Sequence, residues 1–266
     1  MKKPLHNDNA GTVTLVGAGP GDPELLTIKA MKAIQTATVL LVDDLVNPDI
    51  VAMASPRARV VHVGKRGGCK STPQSFIEKL MITAANEGET VVRLKGGDPF
   101  IFGRGGEEVE GLQAVGIRVS VINGITSGLA AVTSLNVPLT HRDYAHGVVF
   151  VTGHAKTGIA GETCGTDWRA LAATAHQAKL TLVIYMGISG VAHIQNELLE
   201  GLPGDTPVAL IQNVSLPTQR HTTCTLADLQ STVTRESFAS PSVIVVGDVV
   251  RGIQAAAGGI PMVRTA

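Results

Sequence analysis

The stretch Arg93-Leu94-Lys95-Gly96-Gly97-Asp98-Pro99-Phe100-Ile101-Phe102-Gly103-Arg104-Gly105-Gly106-Glu107-Glu108 holds the densest chemistry in the chain, with five glycines and three basic residues. It follows a predicted strand and runs into a predicted helix whose first turn carries Glu107 and Glu108. The glycines permit close backbone approach and positive φ, and the fork of Arg104 suits bidentate contact with a carboxylate. A solvated surface loop accounts for one or two of these features. It accounts poorly for Gly-Gly-Asp-Pro beside Phe-Ile-Phe.

Further cations occur in Val63-Gly64-Lys65-Arg66-Gly67-Gly68 and in Pro138-Leu139-Thr140-His141-Arg142-Asp143. Each alone reads as solvated surface. Together with Arg104 they make a positive pocket in a neutral chain, which favours a multiply anionic substrate. Asp43 and Asp44 end a predicted strand, where a carboxylate is either an acid/base candidate or a turn former. His141, His146 and His154 lack ligand spacing, and Cys69, Cys164 and Cys224 form no C-x-x-C pair, so no metal site is expected and Cys69 reads as a spectator thiol.

Gly17-Ala18-Gly19-Pro20-Gly21-Asp22 sits where a dinucleotide-binding fold carries its phosphate loop. Against that use, Pro20 has no amide to offer and Asp22 brings a negative charge to the helix start where pyrophosphate belongs. A tight structural turn and a backbone wall for a ligand without phosphate are the other two readings of these residues.

The elements that must position these loops follow from periodicity. Short apolar β-branched runs at Val13–Val16, Val39–Val42, Arg59–Val63, Val91–Leu94 and Val119–Ile122 alternate with helical stretches. One helix is expected from Pro23 to about Ala37 with Asp22 as N-cap, and another opens at Thr72-Pro73 by the same device. Such alternation implies right-handed crossovers and a mainly parallel sheet, with the ligand beyond the carboxyl ends of its strands. A second block, richer in strands and mixed, has strands at Val148–Thr152, Leu180–Tyr185, Val208–Gln212, about Arg220–Thr225 and Ser242–Val246. Its helices lie near Trp168–Ala175 and Ser189–Glu200. The polar stretch Leu139–His146 separates the blocks, giving an N-terminal α/β domain over 11–143 and a C-terminal one over 147–252. Residues 1–10 and the tail 253–266 have little to bury and are expected to be flexible.

Composition narrows the function. Lys+Arg and Asp+Glu are equal at 22, so no overall field draws the chain to nucleic acid or anionic lipid. An aromatic fraction of 3% argues against a stacking platform for single strands, and no apolar run is long enough to span a membrane. An odd number of scattered cysteines and the lack of a secretory h-region suggest a cytoplasmic protein.

The motifs V-G-A-G-P-G-D-P-E-L-L-T, V-G-K-R, R-L-K-G-G-D-P-F-I-F-G-R-G-G-E-E, G-I-T-S, P-L-T-H-R-D, V-T-G-H and Y-M-G occur in order over about residues 11–250, and this pattern resembles the uroporphyrinogen-III C-methyltransferase family. The resemblance implies two α/β domains of the tetrapyrrole methylase type, S-adenosylmethionine (SAM) in the trough between them, and a homodimer. SAM has no phosphate, which answers the Pro20 objection. By resemblance, Pro20, Gly96, Gly97, Asp98, Ile101, Thr126, Ser127, Met186 and the segment around Val214 contact SAM. Asp43 and Lys65 match acid/base candidates, and Arg104, Glu107 and Arg142 match substrate-pocket positions, Arg104 being included with the catalytic set.

The implied reaction is two successive methyl transfers, to C2 and C7 of uroporphyrinogen III, giving precorrin-2 and S-adenosylhomocysteine. The sequence departs from the family pattern at Val42, Asp44, Asn123 and Val214, where Tyr, Arg, Pro and Gly are usual. The last is expected to narrow the adenosine pocket. The chain carries no dehydrogenase/ferrochelatase module ahead of these motifs, so the activities of the fused sirohaem synthases are expected to be absent. Two other classes stay open on residues alone: an NAD(P) oxidoreductase, and a regulator that binds SAM or a tetrapyrrole without catalysis.

Overall fold

The first block's strands form as expected: Thr12–Gly17 (β1), Val39–Val42 (β2), Arg59–His62 (β3), Thr90–Lys95 (β4) and Arg118–Ile122 (β5). In this computed structural model, which describes residues 11–64, 72–154, 156–157 and 163–252, they make one all-parallel sheet in the order β3-β2-β4-β1-β5. Segments 1–10 and 253–266, together with Lys65, Arg66 and Cys69, lie outside the described residues. The helices of this unit are Ile28–Thr36 (α1), Pro48–Val51 (α2), Gln74–Asn86 (α3) and Gly105–Ala114 (α4).

The central strands are apolar on both faces because helices cover both. Val13, Leu15, Val39, Leu41 and Val91 pack with Ile77 and Met81 of α3 and Leu112 of α4. Val16, Leu40, Val42, Val92 and Leu94 meet Ile34 of α1 and Ile50 of α2 on the other face.

Two helix starts differ from expectation. Asp22 caps only a 3-10 turn, Pro23–Leu25, by accepting from Glu24 N. Leu26 then turns extended, and Thr27 acts as a second cap, its hydroxyl accepting from Ala30 N. Before α3, Pro73 stands just outside the helix with no side-chain cap.

The second unit begins with Ser127–Thr133 (α5) and carries Gly147–Thr152 (β6), Lys156–Thr157 (β7), Thr163–Cys164 (β8), Trp168–Ala178 (α6), Leu180–Tyr185 (β9), Val191–Leu198 (α7), Pro207–Gln212 (β10), Arg220–Thr225 (β11), Leu229–Arg235 (α8) and Ser242–Val246 (β12). Its five-stranded sheet runs β11-β10-β12-β9-β6, with β6 and β9 parallel and the other pairs antiparallel. Trp168, Leu182, Ile184, Ile194, Leu210 and Ile244 belong to its core.

The chain divides between Thr126 and Ser127, upstream of the 143/147 boundary read from composition. The reason is α5, which packs on β9 and β12. The polar Leu139–His146 stretch instead contains a turn closed by mutual His141–Ala145 backbone hydrogen bonds. No helix among the described residues is long and apolar enough to cross a membrane.

Candidate active site

In the first unit, three loops meet at the carboxyl ends of β1, β4 and β5 with no room for side chains. Gly19 and Gly97 exchange backbone hydrogen bonds of 3.1 and 2.7 Å, both at positive φ, +73° and +66°. A Cβ on Gly17 would stand 2.4 Å from Gly124 N, and one on Gly124 would stand 2.2 Å from Gly97 O. Asp98 locks this junction from within. Its buried carboxylate accepts from Phe100 N at 2.8 Å through Oδ1, and from Asn123 Nδ2 and Gly124 N at 3.1 Å each through Oδ2. The asparagine that departs from the family pattern thus braces the glycine wall. Pro20 and Ile101 lie half-buried beside it in sequence, and Thr126 is buried.

Beneath the wall runs a charged network that the sequence reading did not single out. Arg93 and Lys95 alternate on β4 with Val92 and Leu94, so both point to the α3/α4 side, and both are almost wholly buried. Glu108 of α4, with no exposed surface, sits between them. Arg93 Nε donates to its Oε1 at 3.1 Å, and Gln74 Nε2 of α3 donates to the same oxygen at 3.0 Å. Lys95 Nζ donates to Oε1 at 3.3 Å and lies 3.1 Å from Oε2, which takes no hydrogen bond from the described residues. Arg93 Nη2 lies 3.6 Å from Asp43 Oδ2 at the end of β2. The available signal was two cations in an otherwise apolar strand, since a buried charge demands a partner.

Arg104 adopts a left-handed conformation, φ 57°, just before α4. Its Nε and Nη2 grip Glu107 Oε1 and Oε2 at 3.0 and 2.5 Å, with both side chains more than half exposed. That hydrogen-bonded pairing raises the guanidinium pKa further above its ordinary value. Two of the expected substrate residues therefore hold each other. Arg142 is exposed on the His141–Ala145 turn of the second unit, and Lys65 falls outside the described residues.

In the second unit, Tyr185 organises the start of α5. Its hydroxyl accepts from Gly128 N at 2.9 Å, and a Cβ on Gly128 would stand 2.3 Å from that oxygen. Ser127 immediately precedes that contact in the chain and Met186 follows Tyr185; Met186 has φ 54° and is about half exposed. Val214 is buried between two left-handed residues, Asn213 and Ser215, so its side chain packs inward. Gln219 ties this loop to α5, accepting from Ser215 N and donating to Ser134 Oγ. No group of three or more His, Cys, Asp or Glu with metal-holding geometry occurs among the described residues.

Residues 12–230 match the family described as Tetrapyrrole (Corrin/Porphyrin) Methylases. The chain belongs to this family. A protein of Pseudomonas aeruginosa named uroporphyrinogen-III C-methyltransferase is 50% identical over 245 residues, 92% of this chain and 96% of that one. A crystal structure of the Thermus thermophilus uroporphyrin-III C-methyltransferase, complexed with S-adenosylhomocysteine, is 38% identical with a TM-score of 0.76, covering 91% of this chain and 94% of that one. A cobalt precorrin-4 methyltransferase aligns with a TM-score of 0.78 at 26% identity, covering 94% and 98%. The two α/β units, one parallel and one mixed, are the tetrapyrrole methylase fold implied by the sequence motifs.

The buried network of this tetrapyrrole methylase has a pH signature. Burial, then the nearby Arg93, pushes the Lys95 pKa below its ordinary 10.5, against an opposing pull from Glu108. The folded protein therefore releases this proton at lower pH than the unfolded chain does, and the Lys95 contribution to stability rises with pH up to about 10.5. Urea unfolding of wild type and Lys95→Met across that alkaline range should show wild type gaining on the variant as pH increases. A pH-independent difference between the two would refute the assignment.

Proposed function

We propose that this tetrapyrrole methylase is a SAM-dependent uroporphyrinogen-III C-methyltransferase, acting as a homodimer in the cytoplasm. It methylates C2 and then C7 of uroporphyrinogen III, giving precorrin-2 through precorrin-1, for sirohaem, cobalamin or haem d1 synthesis. The observation that carries this reading is the glycine wall of Gly17, Gly97 and Gly124 with Pro20 and Asp22 at its edge. It suits close approach of a ligand but opposes a phosphate, because Pro20 has no N–H and the Asp22 carboxylate occupies the helical start. The names of the relatives support the same substrate and donor.

The residues present fit an adenosyl sulfonium. When bound, SAM supplies an electrophilic methyl group, the sulfur leaving with the C–S electron pair as the pyrrole carbon forms the new C–C bond. Holding carbon, methyl and sulfur in line can supply roughly 7–11 kcal/mol of such a barrier. In the first unit this is the work of Pro20, the Gly96-Gly97-Asp98 loop, Ile101 and Thr126; in the second, of Ser127, Met186 and the backbone at Val214. Asp98 acts through the loop, since its carboxylate is committed to Phe100, Asn123 and Gly124. Arg104, Glu107 and Arg142 bind and orient the acetate and propionate groups. After methylation the ring is cationic and must lose a proton from the adjacent bridge carbon, and Asp43 and Lys65 are the acid/base groups for that step.

The test is anaerobic incubation of the protein with SAM and freshly made uroporphyrinogen III, using the species whose light-scattering mass is twice that of the chain. Mass spectrometry should find product with two added methyls and a transient with one. Folded protein that adds none would sink the reading.

A further inference from the structure

From the buried network we infer that Arg93 is a positioning residue for Asp43: anchored by Glu108, its guanidinium holds the Asp43 carboxylate at the carboxyl end of β2 to receive the bridge-carbon proton. The inference rests on the methyltransferase reading above and adds to it a residue that does not itself meet substrate.

Stability does not explain the network. Arg93, Lys95 and Glu108 lie in the layer where Val91, Leu112, Ile77 and Met81 pack, and a buried ion pair is often no better there than apolar side chains of similar volume. Geometry points outward instead. Nε of Arg93 is fixed by Glu108, and Nη1 lies 3.5 and 3.4 Å from the carbonyl oxygens of Leu41 and Leu94. With those edges held, Nη2 is aimed at Asp43 Oδ2 at 3.6 Å, an ion-pair separation longer than a hydrogen bond. A lysine has no planar fork and could not hold Glu108, two carbonyls and Asp43 together.

Charge balance says the same. Two cations face one wholly buried carboxylate, and the carboxylate that completes the count is Asp43, whose side chain is 38% exposed. Asp43 N also donates to Leu94 O at 3.0 Å, which fixes its main chain beside the strand that leads into Gly96. The network thus runs from α3 and α4 through β4 to the partly exposed carboxylate of Asp43. In the step it serves, the C–H pair of the bridge carbon returns to the ring, neutralising the cation, while the proton passes to Asp43 and then to water.

The experiment is a double-mutant cycle of Arg93→Lys with Asp43→Asn, run with SAM and uroporphyrinogen III. Arg93→Lys should lower kcat by about tenfold or more with both KM values little changed, and should add almost nothing in the Asp43→Asn background. A second variant, Arg93→Met with Glu108→Leu, removes the buried pair together. It should reproduce the same kcat loss and the same non-additivity. Arg93→Lys at near wild-type kcat, or losses that simply add to that of Asp43→Asn, would overturn the inference while leaving the methyltransferase reading intact. If neither variant gave a thermal shift with S-adenosylhomocysteine, the network would be a folding element and the inference equally wrong. Absence of transfer by wild type would instead overturn the reading on which it rests.

Discussion

Arg104→Ala should cut kcat/KM for uroporphyrinogen III by about 10- to 150-fold, the equivalent of losing one charge-assisted carboxylate anchor of about 1.5–3 kcal/mol, and leave SAM affinity unchanged. In the structure, Arg104 is already bidentate to Glu107 on an exposed rim. It therefore binds a substrate carboxylate by exchanging partners, and that exchange costs little because an exposed ion pair is worth little. Should Arg104 also orient the ring for proton loss, kcat falls by a further factor of about 10²–10⁴. Arg104→Lys should restore only part of the activity, since the ammonium lacks the planar fork. Steady-state methyl transfer, with SAM binding titrated separately by calorimetry, separates these outcomes. Near wild-type kcat/KM in the alanine variant would make Arg104 a solvated bystander, and lost SAM binding would mean it serves the other ligand.

Glu108→Ala should be the most damaging single change to stability, with a loss of about 3–5 kcal/mol, because it strands two cations in a buried layer. Glu108 is the shared acceptor of Arg93, Lys95 and Gln74, and no described neighbour replaces it. Urea midpoints of the alanine variant against wild type measure the effect. A loss below about 1 kcal/mol would mean that water or rearranged side chains solvate the pair and that the layer is not dry.

Most of the framework was legible because continuous apolar runs and alternating helical stretches leave few other folds: all ten strands of the two main sheets lie where β-branched runs placed them, give or take a residue. The first helix was read too long because Leu25, Ile28 and Ile34 suggest one face, and periodicity does not see Leu26 turning extended before the Thr27 cap. Helix α5 is not legible in the sequence, since Ser127–Thr133 is short and its place is decided by packing on β9 and β12.

The candidate site was legible as loops, through glycines, Pro20 and the single cation Arg104 of the Gly96–Glu107 segment. Its supports were not. Whether Asp98 faces a ligand or braces Asn123 and Gly124, and whether Glu108 is a first-turn helix charge or the hub of a buried cluster, depends on pairings across the sheet that no local pattern encodes.

The position of β1 has a consequence for synthesis. Although it is the first strand among the described residues, its strand partners there are β4 and β5, so Thr12 waits for Thr90 and Arg118. β2 and β3 can pair with each other long before that. At roughly 5–20 residues per second on the ribosome, β1 stays unpaired for several seconds, a window in which chaperone capture competes with aggregation. Slowing translation ahead of residue 90 lengthens that window.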